Sequence, residues 1–278
     1  MTAAATATAN PLDALLKRGR PAVMGILNVT PDSFSDGGAF LDPAAAIRHA
    51  ERMTADGADI LDIGAESTRP YGGMQPVSPE DELARLRPVL PAVTRLGLPV
   101  SIDTIKAATA AFALDAGAQI VNDVWGLQRD RDMARVVAER GCPVIVMHNR
   151  EKADPAIDIM ADVRAFFTRS LDIAAKAGIA RDRIVLDPGI GFGKTAPQSI
   201  TMIARFGELR DFGLPLLIGV SRKRFIDSVS PAKPNERIGG SIAANVLAVQ
   251  AGADIIRVHD VAETVQALRI MAAIEKAR

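Results

Sequence analysis

The residues of this chain that could do chemistry fall in eight groups, each closing a short apolar run. They are Asn28; Asp62 followed by Glu66, Ser67, Thr68 and Arg69; Asp103; Asn122 with Asp123; His148 with Asn149 and Arg150; Asp187; Ser221 with Arg222 and Lys223; and Arg257 with His259. Asp103, Asn122 and Asp187 are two acceptor carboxylates and an amide that both donates and accepts. Brought together, they suit a flat heterocycle carrying several N–H groups and carbonyls. The same side chains could instead cap helices or pair with arginines inside a core. Lys223 is a compact charge able to reach a ring carbonyl or a phosphate, while Ser221 and nearby backbone N–H groups could hold a small carboxylate. If the first and last apolar runs are neighbours, Arg257 and His259 form a diphosphate cradle with Asn28 opposite.

The longest polar stretch follows the first run. From Thr30 to Gly38 the chain reads Thr-Pro-Asp-Ser-Phe-Ser-Asp-Gly-Gly, turn chemistry with two carboxylates, Asp32 and Asp36, in a loop able to approach an anion–metal complex. A second glycine-rich stretch, Gly189 to Thr195, ends in Gly-Lys-Thr like a phosphate loop, but the required earlier glycine would fall on Pro188. It reads better as a glycine-hinged loop with Phe192 as an apolar wall of a pocket. Zinc hydrolase chemistry is poorly served: the chain has three histidines, His49, His148 and His259, and His49 reads as solvent-facing on a helix.

These groups need a frame, and the apolar runs supply one. Short Val/Ile/Leu runs near 23–28, 59–64, 99–103, 119–122, 143–147, 183–187, 215–219 and 254–258 are too continuously apolar for strands with one wet face. Helical periods lie between and after them, near 43–56, 79–96, 106–116, 131–140, 158–177, 197–209, 236–251 and 261–275. Asp42, Ser78 and Thr104 mark helix starts. Eight βα units predict an α/β fold of one domain, a (β/α)8 TIM barrel over residues 21–278, with residues 1–20 an extension free to be flexible. An open doubly wound sheet has the same count, but only a barrel gathers all eight polar strand ends at one mouth.

Composition narrows the function classes. With 278 residues, 48% of them hydrophobic, the chain can bury a large core, and 33 basic against 33 acidic residues give no nucleic-acid or membrane surface. The single cysteine, Cys142, excludes an internal disulfide and fits a reducing cytosol. The first twenty residues lack the order of a secretory signal, and no run of about eighteen apolar residues appears.

The blocks Gly25–Gly38, Gly64–Pro70, Ser101–Thr104, Val121–Asp123, Leu186–Gly189, Ser221–Lys223 and Arg257–Asp260, in this order, resemble the dihydropteroate synthase family of pterin-binding TIM barrels. The resemblance covers essentially everything after residue 20. It implies a cytoplasmic transferase of folate biosynthesis, working with Mg2+ as a homodimer. Such an enzyme joins 4-aminobenzoate to 6-hydroxymethyl-7,8-dihydropterin diphosphate and releases diphosphate. By the same resemblance the pterin diphosphate falls to Thr68, Asp103, Asn122, Asp187, Lys223, Arg257 and His259, and the metal to Asn28. The aminobenzoate pocket falls to Phe34, Pro70, Phe192, Ser221 and Arg222, with Asp36, Arg69 and Lys223 closest to the chemistry. Two alternatives share the pterin grip: a methyltetrahydrofolate:corrinoid methyltransferase-like barrel, which needs neither Mg2+ nor the cradle, and a pterin-binding paralogue without turnover.

Overall fold

The computed structural model describes residues 10–30, 42–66 and 77–278. Within them lie eight parallel strands: β1 (Ala22–Asn28), β2 (Ile60–Gly64), β3 (Val100–Asp103), β4 (Ile120–Asp123), β5 (Val144–Met147), β6 (Ile184–Asp187), β7 (Leu217–Ile218) and β8 (Ile255–Val258). They pair in the order β6-β5-β4-β3-β2-β1-β8-β7. The two ends of that order meet through a bridge between Leu186 and Leu216 and a Leu186 N–H to Pro215 O bond of 2.9 Å, so the sheet comes round on itself. The helices are α1 (Asp13–Leu16), α2 (Pro43–Ala55), α3 (Pro79–Leu86), α4 (Leu90–Val93), α5 (Ala107–Asp115), α6 (Met133–Arg140), α7 (Ile159–Ala177), α8 (Ala196–Ala204), α9 (Arg224–Val229), α10 (Ile238–Gln250) and α11 (Val261–Lys276). None of the described helices is long and apolar enough to cross a membrane.

Successive side chains of a strand point to opposite faces, and here they sort into two separate cores. Val23, Leu27, Leu61, Ile63, Val121, Val144 and Val146 belong to the outer cluster packed against the helices. Met24, Ile60, Ile120, Ile145, Val185, Leu217 and Ile255 form an inner cluster with Leu12 and Leu15. The continuous apolar runs of the sequence are these two alternating sets superimposed.

Leu12 and Leu15 come from the N-terminal extension, which from Asn10 onward packs against the barrel. They are 1% and 4% exposed and close the amino end of the barrel, a burial worth about 1.5–3 kcal/mol for each leucine. Asp59, just before β2, ties the segment down by accepting from Arg18 at 2.8 Å, Arg20 at 2.7 Å and the Val23 N–H at 2.9 Å.

Helix boundaries follow local chemistry, with three corrections. Asp42 caps α2 by accepting from the Ala44 N–H, and Ser78 caps α3 by accepting from the Asp81 N–H. The helix expected over 79–96 is broken after Leu86, because Pro88 has no N–H to continue it and clashes with the preceding turn. Thr104 does not cap a helix; it accepts from the Lys106 N–H, and the first N–H of α5 goes to Asp130 at 2.8 Å. The short α9 directly after Lys223 was not foreseen, since its six residues carry no full helical period.

Candidate active site

On β2, β4, β6 and β8 the inner face turns from apolar to polar within one pleat. Two residues beyond Ile60, Ile120, Val185 and Ile255 stand Asp62, Asn122, Asp187 and Arg257, and Asp103 follows Ser101 in the same way. Strand register aligns them: Asp62 lies level with Ser101, and Asp103 with Asn122 and Gly64. Asp62, Asp103, Asn122 and Arg257 therefore come together at the carboxyl end.

Asp62 is the hub of this layer, a residue the sequence marked only as a strand-end carboxylate. It is fully buried, and its Oδ2 accepts from Asn122 Nδ2 at 3.1 Å and from Arg257 Nε at 2.6 Å. Arg257 donates its other arm to Asp103 Oδ2 at 2.7 Å. Burial works against the guanidinium charge, but Asp62 and Asp103 outweigh it and hold Arg257 above its ordinary pKa. Its charge is thus engaged by two carboxylates on the floor of the mouth. Burial also raises Asp103 to about 7, with Arg257 opposing and the Asp62 carboxylate adding to the rise. Asp62 Oδ1, Ser101 Oγ, Asp103 Oδ1 and Asn122 Oδ1 are buried without a hydrogen-bond partner among the described residues. Native interiors leave few such groups without a reason, and three of the four are pure acceptors.

Across the mouth, Asp187 Oδ1 accepts from the Gly189 N–H at 2.8 Å. Burial raises its pKa, with Lys223 the strongest opposing influence and Arg257 next among the charges. Lys223 donates to the Ile190 carbonyl, and its Nζ lies 4.5 Å from the centre of the Phe192 ring. Burial pushes its amine down to about 8, against the pull of Asp187. The loop after β6 therefore holds both Phe192 and Lys223, and its Gly-Lys-Thr ending serves neither a nucleotide nor solvent: Lys194 is 1% exposed. The sequence offered no signal for that burial beyond the glycines that let the chain fold over it.

Ser221, expected beside the aminobenzoate, accepts from the His259 N–H at 3.2 Å and lies 3.0 Å from His259 Nδ1. Arg222 is paired with Asp260 through two bonds and sits in the left-handed region, φ 58°. His49 on α2 is half-buried, and burial, then the Arg52 charge, lowers its pKa. Asn28 is half-buried at the end of β1, level with Gly64. Phe34, Asp36, Thr68, Arg69 and Pro70 lie outside the described residues. The root of their second loop is described: Glu66 accepts from the Val77 N–H at 3.0 Å and pairs with Lys106, which also bonds fully buried Glu82 at 2.9 Å.

Residues 24–259 match the family profile of pterin binding enzymes. The dihydropteroate synthase of Bacillus subtilis is 44% identical over 259 residues, 93% of this chain and 90% of that protein. A crystal structure of dihydropteroate synthase from Clostridium difficile in the presence of pteroic acid superposes with a TM-score of 0.88 at 47% identity, covering 92% of this chain and 97% of that one. A Xanthomonas albilineans dihydropteroate synthase structure with 4-aminobenzoic acid gives 0.88 at 43% identity, covering 92% and 94%.

Proposed function

The chain belongs to the pterin-binding enzyme family, and we propose that it acts as a dihydropteroate synthase. It joins 6-hydroxymethyl-7,8-dihydropterin diphosphate to 4-aminobenzoate, forming 7,8-dihydropteroate and diphosphate. The observation that carries this is the buried acceptor layer. Asp103 and Asn122 each keep an oxygen without a partner among the described residues, and Asp187 and Lys223 stand opposite. A dihydropterin ring, with N–H donors along one edge and a carbonyl beside them, is the complement of two carboxylates, an amide and an ammonium.

In the reaction the carbon–oxygen bond to the diphosphate breaks, the electron pair leaving with the diphosphate. The methylene carbon left behind is a cation conjugated with the dihydropterin ring, and Asp103 and Asp187 stabilise it through space. The arylamine nitrogen then forms the new bond and loses its proton to solvent. That step needs orientation more than a strong base, and Phe192 with Ser221 and Arg222 forms the wall that aligns the aminobenzoate. His259 contributes hydrogen bonding to the leaving group beside Arg257. Asp36, Arg69, Thr68, Phe34 and Pro70, the other residues assigned to this reaction, lie outside the described residues.

Mg2+ is the metal this chemistry calls for, and the donors suit it. It takes hard oxygens, with one or two protein ligands alongside substrate phosphates, and Asn28 offers a carboxamide oxygen at the half-buried end of β1. When bound, the ion would neutralise charge on the departing diphosphate. A homodimer is supported by the apolar face of α10 and α11, where Leu247, Ile270 and Ile274 are more than half exposed; a monomer in sedimentation equilibrium would remove that part. The one cysteine, buried Cys142, favours the cytosol.

A diphosphate-release assay with purified protein tests the whole. Release should require both substrates and Mg2+. Asp187→Ala should lower kcat/KM for the pterin diphosphate about ten- to more than a hundredfold, the loss of one charged hydrogen bond of roughly 1.5–3 kcal/mol. No release from the wild type, or full activity in the variant, would overturn the assignment.

A further inference from the structure

Lys194 and His148 are buried, ionisable and unused by the chemistry above. His148 is fully buried at the end of β5 and Lys194 lies beneath the loop after β6. Burial pushes the Lys194 amine well below its ordinary pKa, but its contacts match the charged form. Lys194 Nζ bonds the Gly189 carbonyl at 2.8 Å, the Phe192 carbonyl at 3.1 Å and His148 Nδ1 at 2.6 Å. These are three acceptors for the three N–H bonds of an ammonium, provided His148 Nδ1 carries a lone pair. It does so if the ring proton is on the other nitrogen, and His148 Nε2 is 2.9 Å from Asp162 Oδ2. Asp162 is held in turn by Arg150 at 2.8 Å. Burial, then the Lys194 charge, lowers His148 to about 4, so the neutral Nε2–H form persists across the physiological range.

The same loop has no freedom on its other side. A Cβ on Gly189, φ 63°, would stand 2.0 Å from the His148 carbonyl oxygen, and one on Gly193, φ 55°, would stand 2.4 Å from Arg150 Cβ. The loop is therefore pressed onto the end of β5 and stitched there by Lys194. What it presents to the mouth is the Gly189 N–H bound to Asp187, the Ile190 carbonyl bound to Lys223, and the Phe192 ring beneath the Lys223 amine. Each of these lies within two residues of a carbonyl that Lys194 holds.

We propose that Lys194, oriented by His148 and Asp162, is a positioning residue. It shapes the loop after β6 so that Asp187 and Lys223 stand in the geometry that grips the pterin ring. It touches no reacting atom and acts only through the loop. The inference rests on the assignment of Asp187 and Lys223 to pterin binding, and the test separates the two.

The readout is the Kd of pteroic acid by titration calorimetry, with kcat and KM alongside. Wild-type protein that binds no pteroic acid would overturn the functional assignment itself. Given wild-type binding, Lys194→Met removes all three N–H bonds at nearly constant volume. It should weaken pteroic acid at least about tenfold and raise KM for the pterin diphosphate more than it lowers kcat. On a Lys223→Met background the same change should cost less than it does on wild type, because one of the two groups it positions is gone. Equal penalties on both backgrounds, or unchanged affinity, would overturn the proposal. Should Lys194→Met fail to fold, His148 decides: His148→Gln keeps an acceptor for the ammonium and should bind within about threefold of wild type, whereas His148→Leu should lose about tenfold. Equal effects of the two would overturn it as well.

Discussion

The two ends of the barrel are built from the same strands and obey opposite rules. At the amino end, Met24, Ile60, Ile120, Ile145, Val185, Leu217 and Ile255 close over Leu12 and Leu15 with no polar side chain among them. One pleat higher, the inward positions hold Asp62, Asp103, Asn122, Asp187 and Arg257, and one buried oxygen each of Asp62, Asp103 and Asn122 has no partner among the described residues. Each such atom costs about 1–3 kcal/mol in a folded interior. The closed end contributes stability that the open end draws on, and a fold keeps that imbalance where a ligand will supply the missing donors.

The comparison predicts that substitutions at the open end remove activity, and at the closed end stability alone. The largest effect is expected at Arg257. Arg257→Leu leaves Asp62 and Asp103 as buried carboxylates without their shared cation, which should cost about 3–5 kcal/mol of unfolding free energy and lower kcat/KM about a hundredfold or more. Denaturant unfolding and the diphosphate assay measure both, and a variant as stable as wild type would show that this pairing is not what holds the layer. Leu15→Ala should cost about 2–5 kcal/mol with kcat and both KM values unchanged in the folded protein. A change in kcat there would break the division between the ends.

The smallest effect is a pH dependence confined to the open end. Asp103, raised to about 7, grips as a carboxylate, so activity falls as pH drops through that value. Lys223, lowered to about 8, grips as an ammonium, so activity falls as pH rises through that one. The profile of kcat/KM for the pterin diphosphate should be a narrow bell between them, changing about tenfold per pH unit outside it. Asp103→Asn should remove its acid limb. A profile flat from pH ~6 to ~9 would mean that neither group titrates in the free enzyme.

Strand-end carboxylates and amides were readable because a polar residue that ends an apolar run has few places to go in a parallel sheet. Asn122 and Asp187 stood out for that reason. Asp62 was readable as a strand end but not as the hub, since nothing local shows that Asn122 and Arg257, on strands far apart in the chain, both point at one oxygen. Arg257 shows the same limit from the other side: its type announced a cation, and only the fold shows that it spans Asp62 and Asp103. Lys194 was misleading, because Gly-Lys-Thr fits a phosphate loop locally and only the press of the loop against β5 explains the lysine beneath it.

From residue order alone came the alternation of eight apolar runs with helical segments, the helix caps at Asp42 and Ser78, and the polar group after each strand. These are consequences of backbone chemistry over a few residues, and neighbours in sequence suffice to dictate them. Closure of the sheet decided the rest: which carboxylate shares Arg257, why Leu12 and Leu15 belong to the core, and why a histidine and a lysine 46 residues apart share one proton arrangement. Those facts depend on desolvation and on the charges that surround a side chain once water is gone, and both exist only after the strands have met.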